Sequence, residues 1–335
     1  MKIAIVGCGA LGSYYGACLW RQGYETYFLL RSDYEAVRDQ GVLVESDAGT
    51  FRARPRAAFA PEDIGPSDLV IVALKTTANG RFPDLLPPLV GPRTAVLTLQ
   101  NGLGNEEALA ALLPPAQVLG GLCFVCLNRD APGVIRHIAH GRILLGEFGR
   151  PAEPRTHEIA RVFRSSGIPC DVTDQLAKAH WEKLIWNIPF NGLGVASAAG
   201  REAWETPELP PVTARHPNLT TDRLLADPWW TALVRELMQE VIATARALGH
   251  AIPDAQAEGE IRRTQDMGPY RASTLVDFAL GRPLELDSLF LEPLRQAVAA
   301  GVPVPRLRRL CAVLEALGDS PPGLEAPSGL PNPPV

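Results

Sequence analysis

The chain has 335 residues, of which 46% are hydrophobic, and a formal net charge of −5. A chain of this length can form two domains, each with its own core. The acidic balance argues against the basic surface that nucleic-acid binding needs, and the longest apolar runs are too short to span a bilayer. Because the first predicted strand begins at residue 2, we expect no signal peptide and a cytoplasmic enzyme.

The six cysteines are spread along the chain, and only Cys123 and Cys126 lie close together. Both fall in an apolar stretch that is typical of a buried strand, where residues three apart point to opposite faces. A zinc site needs a second ligand pair with suitable spacing, which this sequence lacks. We therefore predict buried thiols and no metal site.

The first residues combine a strand with a glycine-rich turn. Lys2–Val6 is an apolar, β-branched run, and helix-forming sequence follows over residues 10–22. Between them lies G-x-G-x-x-G, in which the first glycine permits the tight turn, the second leaves room for a pyrophosphate and the third lets the helix pack on the sheet. This motif predicts a Rossmann-type dinucleotide-binding unit. Its cofactor contacts are predicted to be Gly7, Cys8, Gly9, Ala10, Leu11 and Gly12.

The second predicted strand, residues 24–30, is followed by two opposite charges. In NAD-binding folds an acidic residue about 20 positions beyond the glycines takes the ribose hydroxyls. Arg31 stands at this distance and suits a 2′-phosphate, whereas Asp33 is a rival signal for NAD or an N-cap of the helical segment Tyr34–Gln40. The sequence favours NADP(H) over NAD(H) and leaves both readings open.

Polar residues follow two further apolar strands, residues 68–74 and 94–99. Lys75 comes directly after the first strand, and Asn101 follows Gln100 after the second. Ligands of open α/β sheets bind beyond the carboxyl ends of the strands, which makes both side chains candidate cofactor contacts. A solvated lysine and an Asn-Gly turn are the alternatives.

The α/β domain is predicted to continue to residue 173. Residues 118–127 form a strand, and residues 134–139 and 142–147 are predicted to form a hairpin around His140-Gly141. His137 and His140 have no evident partner and are interpreted as surface residues. The other predicted elements are short strands over 42–45 and 50–54, a helix over Pro154–Ser165 and a strand over 169–173.

From residue 174 the apolar period becomes helical, which predicts an all-helical domain over residues 174–319. Its first helix runs from residue 175 past Asn191 and carries Lys183, Asn187 and Asn191 at i, i+4 and i+8. One ammonium and two carboxamides thus share a polar stripe. Such a stripe is typical of a solvated helix face. Asparagine is, however, a poor helix former, which indicates a role beyond solvation.

Prolines interrupt the pattern over residues 203–227, where we predict a loop or a partly ordered insertion. Helices are then predicted over residues 229–249, 254–264, 270–280, 288–300 and 305–317, and Ser273 and Asp277 share one face of the third. The tail over residues 320–335 is rich in proline and glycine and is predicted to be disordered.

The predicted elements and motifs, taken in chain order, resemble those of the ketopantoate reductase (2-dehydropantoate 2-reductase) family over nearly the whole chain. The motifs that carry the resemblance are G-C-G-A-L-G at the start, A-L-K-T-T around Lys75, Q-N-G-L-G-N around Asn101, W-E-K-L-I-W-N-I-P-F-N from residue 181 and R-A-S-T-L-V-D-F-A-L-G-R-P-L-E-L-D from residue 271. Three features depart from the family pattern, the first of which is the proline-rich insertion over residues 203–227 that compact members lack. Pro189 should kink the lysine–asparagine helix, and Ala272 stands where the family commonly has a second serine.

The resemblance implies NADPH-dependent reduction of a 2-keto acid to a 2-hydroxy acid, ketopantoate to pantoate as in pantothenate biosynthesis. Lys183 would be the general acid, with Glu285 hydrogen-bonded to it or to the substrate hydroxyl. Asn101 would line the nicotinamide–substrate junction, while Arg31 and Lys75 would contact the cofactor. The substrate carboxylate and hydroxyl would be held by Asn187, Asn191, Ser273 and Asp277.

Two other functions stay open at this point. A related dehydrogenase with a Rossmann and a helical domain could act on another hydroxy acid, although the segment from Ser273 to Glu285 would then be unexplained. A non-catalytic protein could bind or sense NADP, although the intact set of Lys183, Asn101 and Glu285 argues against it. The sequence does not determine the oligomeric state, for which a homodimer is one option.

Overall fold

The computed structural model describes residues 1–206, 208 and 216–318. Two compact units divide between Ala179 and His180, within one long helix. The first unit contains a sheet with flanking helices, and the described residues of the second unit are helical. The predicted fold class, a Rossmann-type domain followed by an all-α domain, is confirmed.

All strands among the described residues belong to one sheet of ten. They are β1 (Lys2–Val6), β2 (Glu25–Leu29), β3 (Val42–Ser46), β4 (Phe51–Ala53), β5 (Arg56–Ala58), β6 (Leu69–Val72), β7 (Ala95–Thr98), β8 (Val118–Ala131), β9 (Val134–Glu147) and β10 (Cys170–Val172).

Six of these strands form a continuous parallel run, in the order β5-β2-β1-β6-β7-β8. This is the strand order of a dinucleotide-binding fold. Every residue of β6 and β7 is buried. Their continuous apolar runs predicted this, because such runs are typical of strands that are covered on both faces. The carboxyl ends of β1, β2 and β6 are neighbours at one edge, where the glycine turn lies.

The hairpin predicted around His140-Gly141 is wrong. β9 is a single strand that pairs antiparallel with β8, and the turn between them lies at residues 132–133, with Gly133 at φ +68°. Gly141, at φ +134°, is instead a β-bulge, because the register passes directly from Arg142 to His140. A glycine with positive φ serves a bulge as well as a turn, so the local sequence does not distinguish them.

His137 is also not the surface residue without a partner that we predicted. Its Nδ1 lies 2.9 Å from Ser46 Oγ, and its Nε2 lies 2.8 Å from the carbonyl oxygen of His140. Its ring stacks on Tyr14 with a centroid distance of 4.5 Å. These contacts fasten β9 to the helix that follows the glycine turn.

The helices of the described residues alternate with the strands in the first unit and follow one another in the second. They are α1 (Ala10–Arg21), α2 (Tyr34–Gln40), α3 (Phe82–Leu85), α4 (Asn105–Ala110), α5 (Pro154–Ser165), α6 (Leu176–Ala196), α7 (Glu202–Glu205), α8 (Thr221–Ala226), α9 (Pro228–Ala247), α10 (Ala255–Gln265), α11 (Ser273–Ala279), α12 (Glu292–Ala299) and α13 (Pro305–Gly318).

Most predicted helices are confirmed within a few residues, two start differently, and α3, α4, α7 and α8 were not predicted. The loop predicted over 203–227 contains α7 in part and the whole of α8, while residues 207 and 209–215 lie outside the described residues. The helix predicted from residue 270 begins at Ser273. The helix predicted from residue 288 begins with a π-helical turn, Asp287–Leu291, in which hydrogen bonds join residues five apart instead of four, and α12 follows this turn. The predicted disordered tail also lies outside the described residues.

None of the helices described here combines the length and the apolar character that crossing a membrane requires. None of the six cysteines forms a disulfide, and Cys123 and Cys126 are buried on β8 as predicted.

A buried carboxylate joins the end of β9 to α5. Glu147 is 1% exposed and accepts hydrogen bonds from Arg155 Nε at 3.0 Å, Arg150 Nη2 at 2.8 Å and Thr156 Oγ1 at 2.5 Å. Burial by itself would raise the pKa of Glu147. The hydrogen bonds from Arg155, Thr156 and Arg150 outweigh it, and the pKa lies below its ordinary value. A buried charge is tolerated only when it is paired in this way.

We predict that Glu147→Gln lowers the free energy of unfolding at pH 7 by about 2 kcal/mol, because two guanidinium groups lose their counter-charge. A carboxyl group whose pKa is lowered by folding stabilises the protein above its unfolded pKa of about 4.3, and this stabilisation is lost as the pH falls through the folded pKa. Urea unfolding at several values between pH 7 and pH 3 should therefore show the two proteins converging on the acid side.

The exposed pair Arg38–Asp39 provides the control, since both of its side chains are more than half exposed. Asp39→Asn should leave the unfolding curve unchanged at every pH. An equal loss of stability in Glu147→Gln at pH 7 and at pH 3 would contradict the assigned role of the carboxylate.

Candidate active site

The glycine turn between β1 and α1 is closely packed. Gly7 has φ +100°, and a Cβ at this position would lie 2.3 Å from the backbone nitrogen of Leu74. A Cβ on Gly12 would lie 2.3 Å from the carbonyl oxygen of Gly7. Both distances are far below van der Waals contact, so α1 can approach the sheet this closely only because these side chains are missing.

Gly9, by contrast, faces open space. A Cβ built there would have no neighbour within 4 Å, and Gly9 is the N-cap of α1 without a side-chain cap. The amides of Ala10, Leu11 and Gly12 lie in the first turn, where an α-helix has N–H groups without intrahelical acceptors. Uncapped amides, a helix N-terminus and open space together fit a phosphate group.

The thiol of Cys8 lies beside this turn and donates to the carbonyl oxygen of Ile5 at 3.5 Å. Burial raises the pKa of Cys8 well above its usual value, and the negative charge of Asp33 raises it further. Cys8 is therefore a neutral thiol at ordinary pH and adds no negative charge near the phosphate position.

The two charges that follow β2 have different surroundings. Arg31 is exposed, and among the described residues its guanidinium makes no hydrogen bond or ion pair. Asp33 is 6% exposed and occupies the N-cap position of α2, one of the two roles that the sequence left open, but its side chain makes no hydrogen bond to the amides of that helix. It forms an ion pair with Arg129 of β8 instead.

A network of amide side chains ties together the ends of β6 and β7. Gln100 Nε2 donates to the carbonyl oxygen of Leu74 at 3.0 Å and to Asn79 Oδ1 at 2.7 Å. Asn79 Nδ2 donates to Asn105 Oδ1 at 2.9 Å, and Asn105 Nδ2 donates to the carbonyl oxygen of Asn101 at 3.0 Å. The backbone of Asn101 is thereby fixed relative to both strands.

Sequence reasoning did not assign a role to the amides that hold Asn101. Gln100 and Asn105 lie within Q-N-G-L-G-N. The position of this polar motif directly after a buried strand could have indicated that these amides hold Asn101. Asn79 belongs to the 3₁₀ turn Thr76–Arg81, and its bond to Gln100 spans 21 residues. Lys75 stands exposed immediately before the same turn.

In the second unit, the polar stripe of α6 is not a solvated face. Asn187 is 6% exposed and Asn191 is 3% exposed, whereas Lys183 is partly buried. The helix continues through Pro189 to Ala196, so the proline does not end it. Two carboxamides in a protein interior need hydrogen-bond partners, which excludes solvation as the reason for their position.

The partners of Asn191 come mainly from α11. Asn191 Oδ1 accepts from Ser273 Oγ at 3.2 Å and from the backbone nitrogen of Thr274 at 3.0 Å. Asn191 Nδ2 lies 3.5 Å from Asn187 Oδ1. The side chain of Asn191 thus accepts hydrogen bonds from a hydroxyl and a backbone amide in the first turn of α11. It thereby joins Asn187, Asn191 and Ser273 into one hydrogen-bonded group.

Two acidic residues lie further along the same segment. Asp277 is 5% exposed, one turn after Ser273 on α11, and its Oδ1 lies 3.6 Å from Nη1 of Arg282. Glu285 is 6% exposed and stands just before the π-helical turn, where its carbonyl oxygen accepts from the backbone nitrogen of Leu289 at 3.3 Å. Both carboxylates are withdrawn from solvent.

The predicted site residues divide between the two units. The glycine motif, Arg31, Lys75 and Asn101 belong to the first unit, at the carboxyl edge of its parallel strands. The second unit carries the other residues, Lys183, Asn187, Asn191, Ser273, Asp277 and Glu285. The first group can hold a dinucleotide, and the second combines a cation with buried hydrogen-bonding groups suited to a small polar anion.

Comparison with known sequences matches two stretches of the chain, with residues 151–210 between them. The family model described as "Ketopantoate reductase PanE/ApbA" matches residues 3–150, and the model of its C-terminal part matches residues 211–318. The 2-dehydropantoate 2-reductase of Nostoc sp. is 40% identical over 322 residues, which cover 94% of this chain and 95% of that protein.

Solved structures agree with this result. The crystal structure of 2-dehydropantoate 2-reductase from Geobacter metallireducens has a TM-score of 0.85 and 44% identity, covering 94% of this chain and 99% of that one. The enzyme from Methylococcus capsulatus has a TM-score of 0.83 and 31% identity, covering 95% and 96%. D-mandelate dehydrogenase with NADH and anilino(oxo)acetate has the same fold, with a TM-score of 0.83 at 20% identity and coverages of 95% and 98%.

We predict that Asn105→Ala lowers the free energy of unfolding by about 2 kcal/mol, since Asn79 and the carbonyl oxygen of Asn101 lose a buried partner. Thermal and urea unfolding measure this loss. Asn128→Ala, an exposed asparagine on β8, should leave stability unchanged and serves as the control. Equal stability of the two variants would show that the amide network does not hold the end of β7.

Proposed function

The chain belongs to the ketopantoate reductase family, and from this premise we propose how its own residues reduce 2-dehydropantoate to pantoate with NADPH. Relatives that are 40% and 44% identical over nearly the whole chain are 2-dehydropantoate 2-reductases. The protein is thus a pyridine-nucleotide oxidoreductase. The observation that carries the assignment of residues is the buried polar face of α6, where Lys183 heads Asn187 and Asn191.

The first unit would hold the nucleotide. The amides at the start of α1, above the open space at Gly9, would bind the pyrophosphate, with Lys75 and Asn101 at the ends of β6 and β7 completing the contacts. When bound, the cofactor supplies the hydride, while the protein binds, orients and polarises the substrate. The amide network that fixes Asn101 would position its side chain for the nicotinamide end.

Lys183 would be the general acid. Reduction of a carbonyl group places negative charge on its oxygen, and an ammonium group both neutralises this charge and donates a proton. Lys183 is partly buried, so its charge would act with less screening than that of a solvated lysine. Glu285, withdrawn from solvent in the same unit, would orient the ammonium or accept a hydrogen bond from the substrate hydroxyl.

The hydrogen-bonded group on α6 and α11 would hold the keto acid. Carboxamide N–H groups of Asn187 and Asn191 can donate to its carboxylate. The hydroxyl of Ser273 donates to Asn191, so its lone pairs can accept from the substrate hydroxyl. Asp277 offers a second acceptor, and the nearby Arg282 offsets a negative charge that would otherwise repel the carboxylate.

The cofactor preference rests on the end of β2. Arg31 is exposed and without an ion pair among the described residues, and it stands where a 2′-phosphate would lie. The carboxylate of Asp33 is engaged by Arg129, which leaves it poorly suited to accept ribose hydroxyls as it would in an NAD enzyme. The proposed cofactor is therefore NADPH.

The central experiment measures NADPH oxidation with 2-dehydropantoate and with a panel of other branched 2-keto acids. We expect 2-dehydropantoate to have the highest kcat/KM and pantoate to be the product. Lys183→Ala should lower kcat by about 10²–10⁴-fold, the usual contribution of a positioned general acid, while the dissociation constant for NADPH stays near that of the wild type. Lys183→Arg should not restore the rate, because a guanidinium group keeps its proton.

Lys178 is the matched control, since it stands on α6 as well. Lys178→Ala should retain normal turnover. Full activity of Lys183→Ala would refute the general-acid role, and faster reduction of a different keto acid would refute the substrate. Cofactor binding with no turnover of any keto acid would favour a sensing protein.

A separate prediction concerns the nucleotide. Arg31→Ala should raise the dissociation constant for NADPH by about tenfold to a hundredfold, because a charge-assisted hydrogen bond contributes about 1.5–3 kcal/mol. Binding of NADH should barely change. Titration of each nucleotide by its fluorescence measures both constants, and equal losses for the two would mean that Arg31 does not contact the 2′-phosphate.

A further inference from the structure

The carboxylate of Asp33 has a full set of donors within the protein. Arg129 Nε donates to Asp33 Oδ2 at 2.9 Å, and Arg129 Nη2 donates to Oδ1. The backbone nitrogen of Gly133 lies 3.3 Å from Oδ2, and Ser32 Oγ lies 2.9 Å from Oδ1. Each carboxylate oxygen therefore has two donors, and the forked geometry of the guanidinium matches both at once.

This ion pair lies close in sequence to Arg31, the residue proposed to distinguish NADPH from NADH. Asp33 follows Arg31 by two residues at the end of β2, and its charge acts on the thiol of Cys8 in the glycine turn. A carboxylate in this region normally accepts the ribose hydroxyls of NAD and repels a 2′-phosphate. Without Arg129, the negative charge of Asp33 would compete directly with the positive charge of Arg31.

A purely structural reading does not account for the arrangement. Asp33 occupies an N-cap position, where an aspartate usually accepts from the amides of its own helix. Its carboxylate makes no such bond and instead pairs with a residue 96 positions away. Withdrawing the carboxylate of Asp33 from solvent to pair with the partly exposed Arg129 would be costly if stability were its only effect, because such pairs add little stability compared with apolar packing.

We propose that Arg129 determines the cofactor specificity of this chain by neutralising Asp33, so that the end of β2 accepts a 2′-phosphate at Arg31. Arg129 is a positioning residue that acts through Asp33, not a direct contact of the phosphate. This inference rests on the proposed function, since it assumes that NADPH binds at the glycine turn.

The test compares four proteins: wild type, Asp33→Asn, Arg129→Met and the double variant. Dissociation constants for NADPH and NADH are measured on the free enzyme by nucleotide fluorescence, without substrate. Arg129→Met should raise the constant for NADPH about tenfold and leave that for NADH within about twofold, because the unpaired carboxylate repels the phosphate. The double variant should regain the wild-type ratio of the two constants, since the repelling charge is gone.

Salt provides a second readout. The NADPH deficit of Arg129→Met should shrink as the ionic strength rises, because charges separated by about a Debye length of 10 Å are screened at 0.1 M. Arg136→Met is the matched control, as it breaks another Arg–Asp pair of the β8–β9 hairpin, to Asp130. It should leave both constants unchanged.

Folding is verified for each variant by circular dichroism and thermal unfolding. If Arg129→Met does not fold, Arg129→Gln has the same expected ratio, since its amide keeps one donor to the carboxylate but loses the charge. An unchanged NADPH/NADH ratio in the folded Arg129 variant, or a shifted ratio that Asp33→Asn does not restore, would overturn the proposal. A wild-type protein that binds neither nucleotide would refute the proposed function itself.

Discussion

The close approach of α1 to the end of the parallel strands is the constraint on which the rest of the structure depends. A Cβ at Gly7 would overlap the backbone at Leu74, and a Cβ at Gly12 would overlap Gly7 itself. Because these side chains are absent, the N-terminus of α1 lies at the same edge as the ends of β2 and β6. Arg31, Lys75 and the glycine turn thereby reach one region of the first unit, which is what a dinucleotide site needs.

Four buried and paired polar groups then hold the surrounding elements in place. Glu147 fastens α5 to β9, the Gln100–Asn105 network fastens the end of β7, and Asp33 fastens the start of α2 to β8. In the second unit Asn191 supplies the acceptor for the first turn of α11. Asn191 and Ser273 satisfy each other in the interior and are also proposed to bind the substrate, so structural and functional roles overlap at these two positions.

Sequence reasoning succeeded where the signal is local. The turn at Gly7, the buried runs of β6 and β7 and the helical period after residue 174 each follow from residues within about a dozen positions, since strand, turn and helix preferences are short-range. For the same reason Lys183, Asn187 and Asn191 could be placed on one stripe before the structure was known. The structure added that Asn187 and Asn191 are buried.

Tertiary structure decided the remaining features, because they depend on pairings between distant segments. Asp33 is compatible with an N-cap, a ribose contact or an ion pair, and only the position of Arg129 on β8 selects the third. His140-Gly141 suits a turn or a bulge, and the pairing of β9 along β8 selects the bulge. The sequence by itself determined the fold class, the family motifs and the residue types of the site. The partners of each buried polar group were determined by the packing of the sheet and helices, since local preference is weak compared with the cost of leaving such a group unpaired.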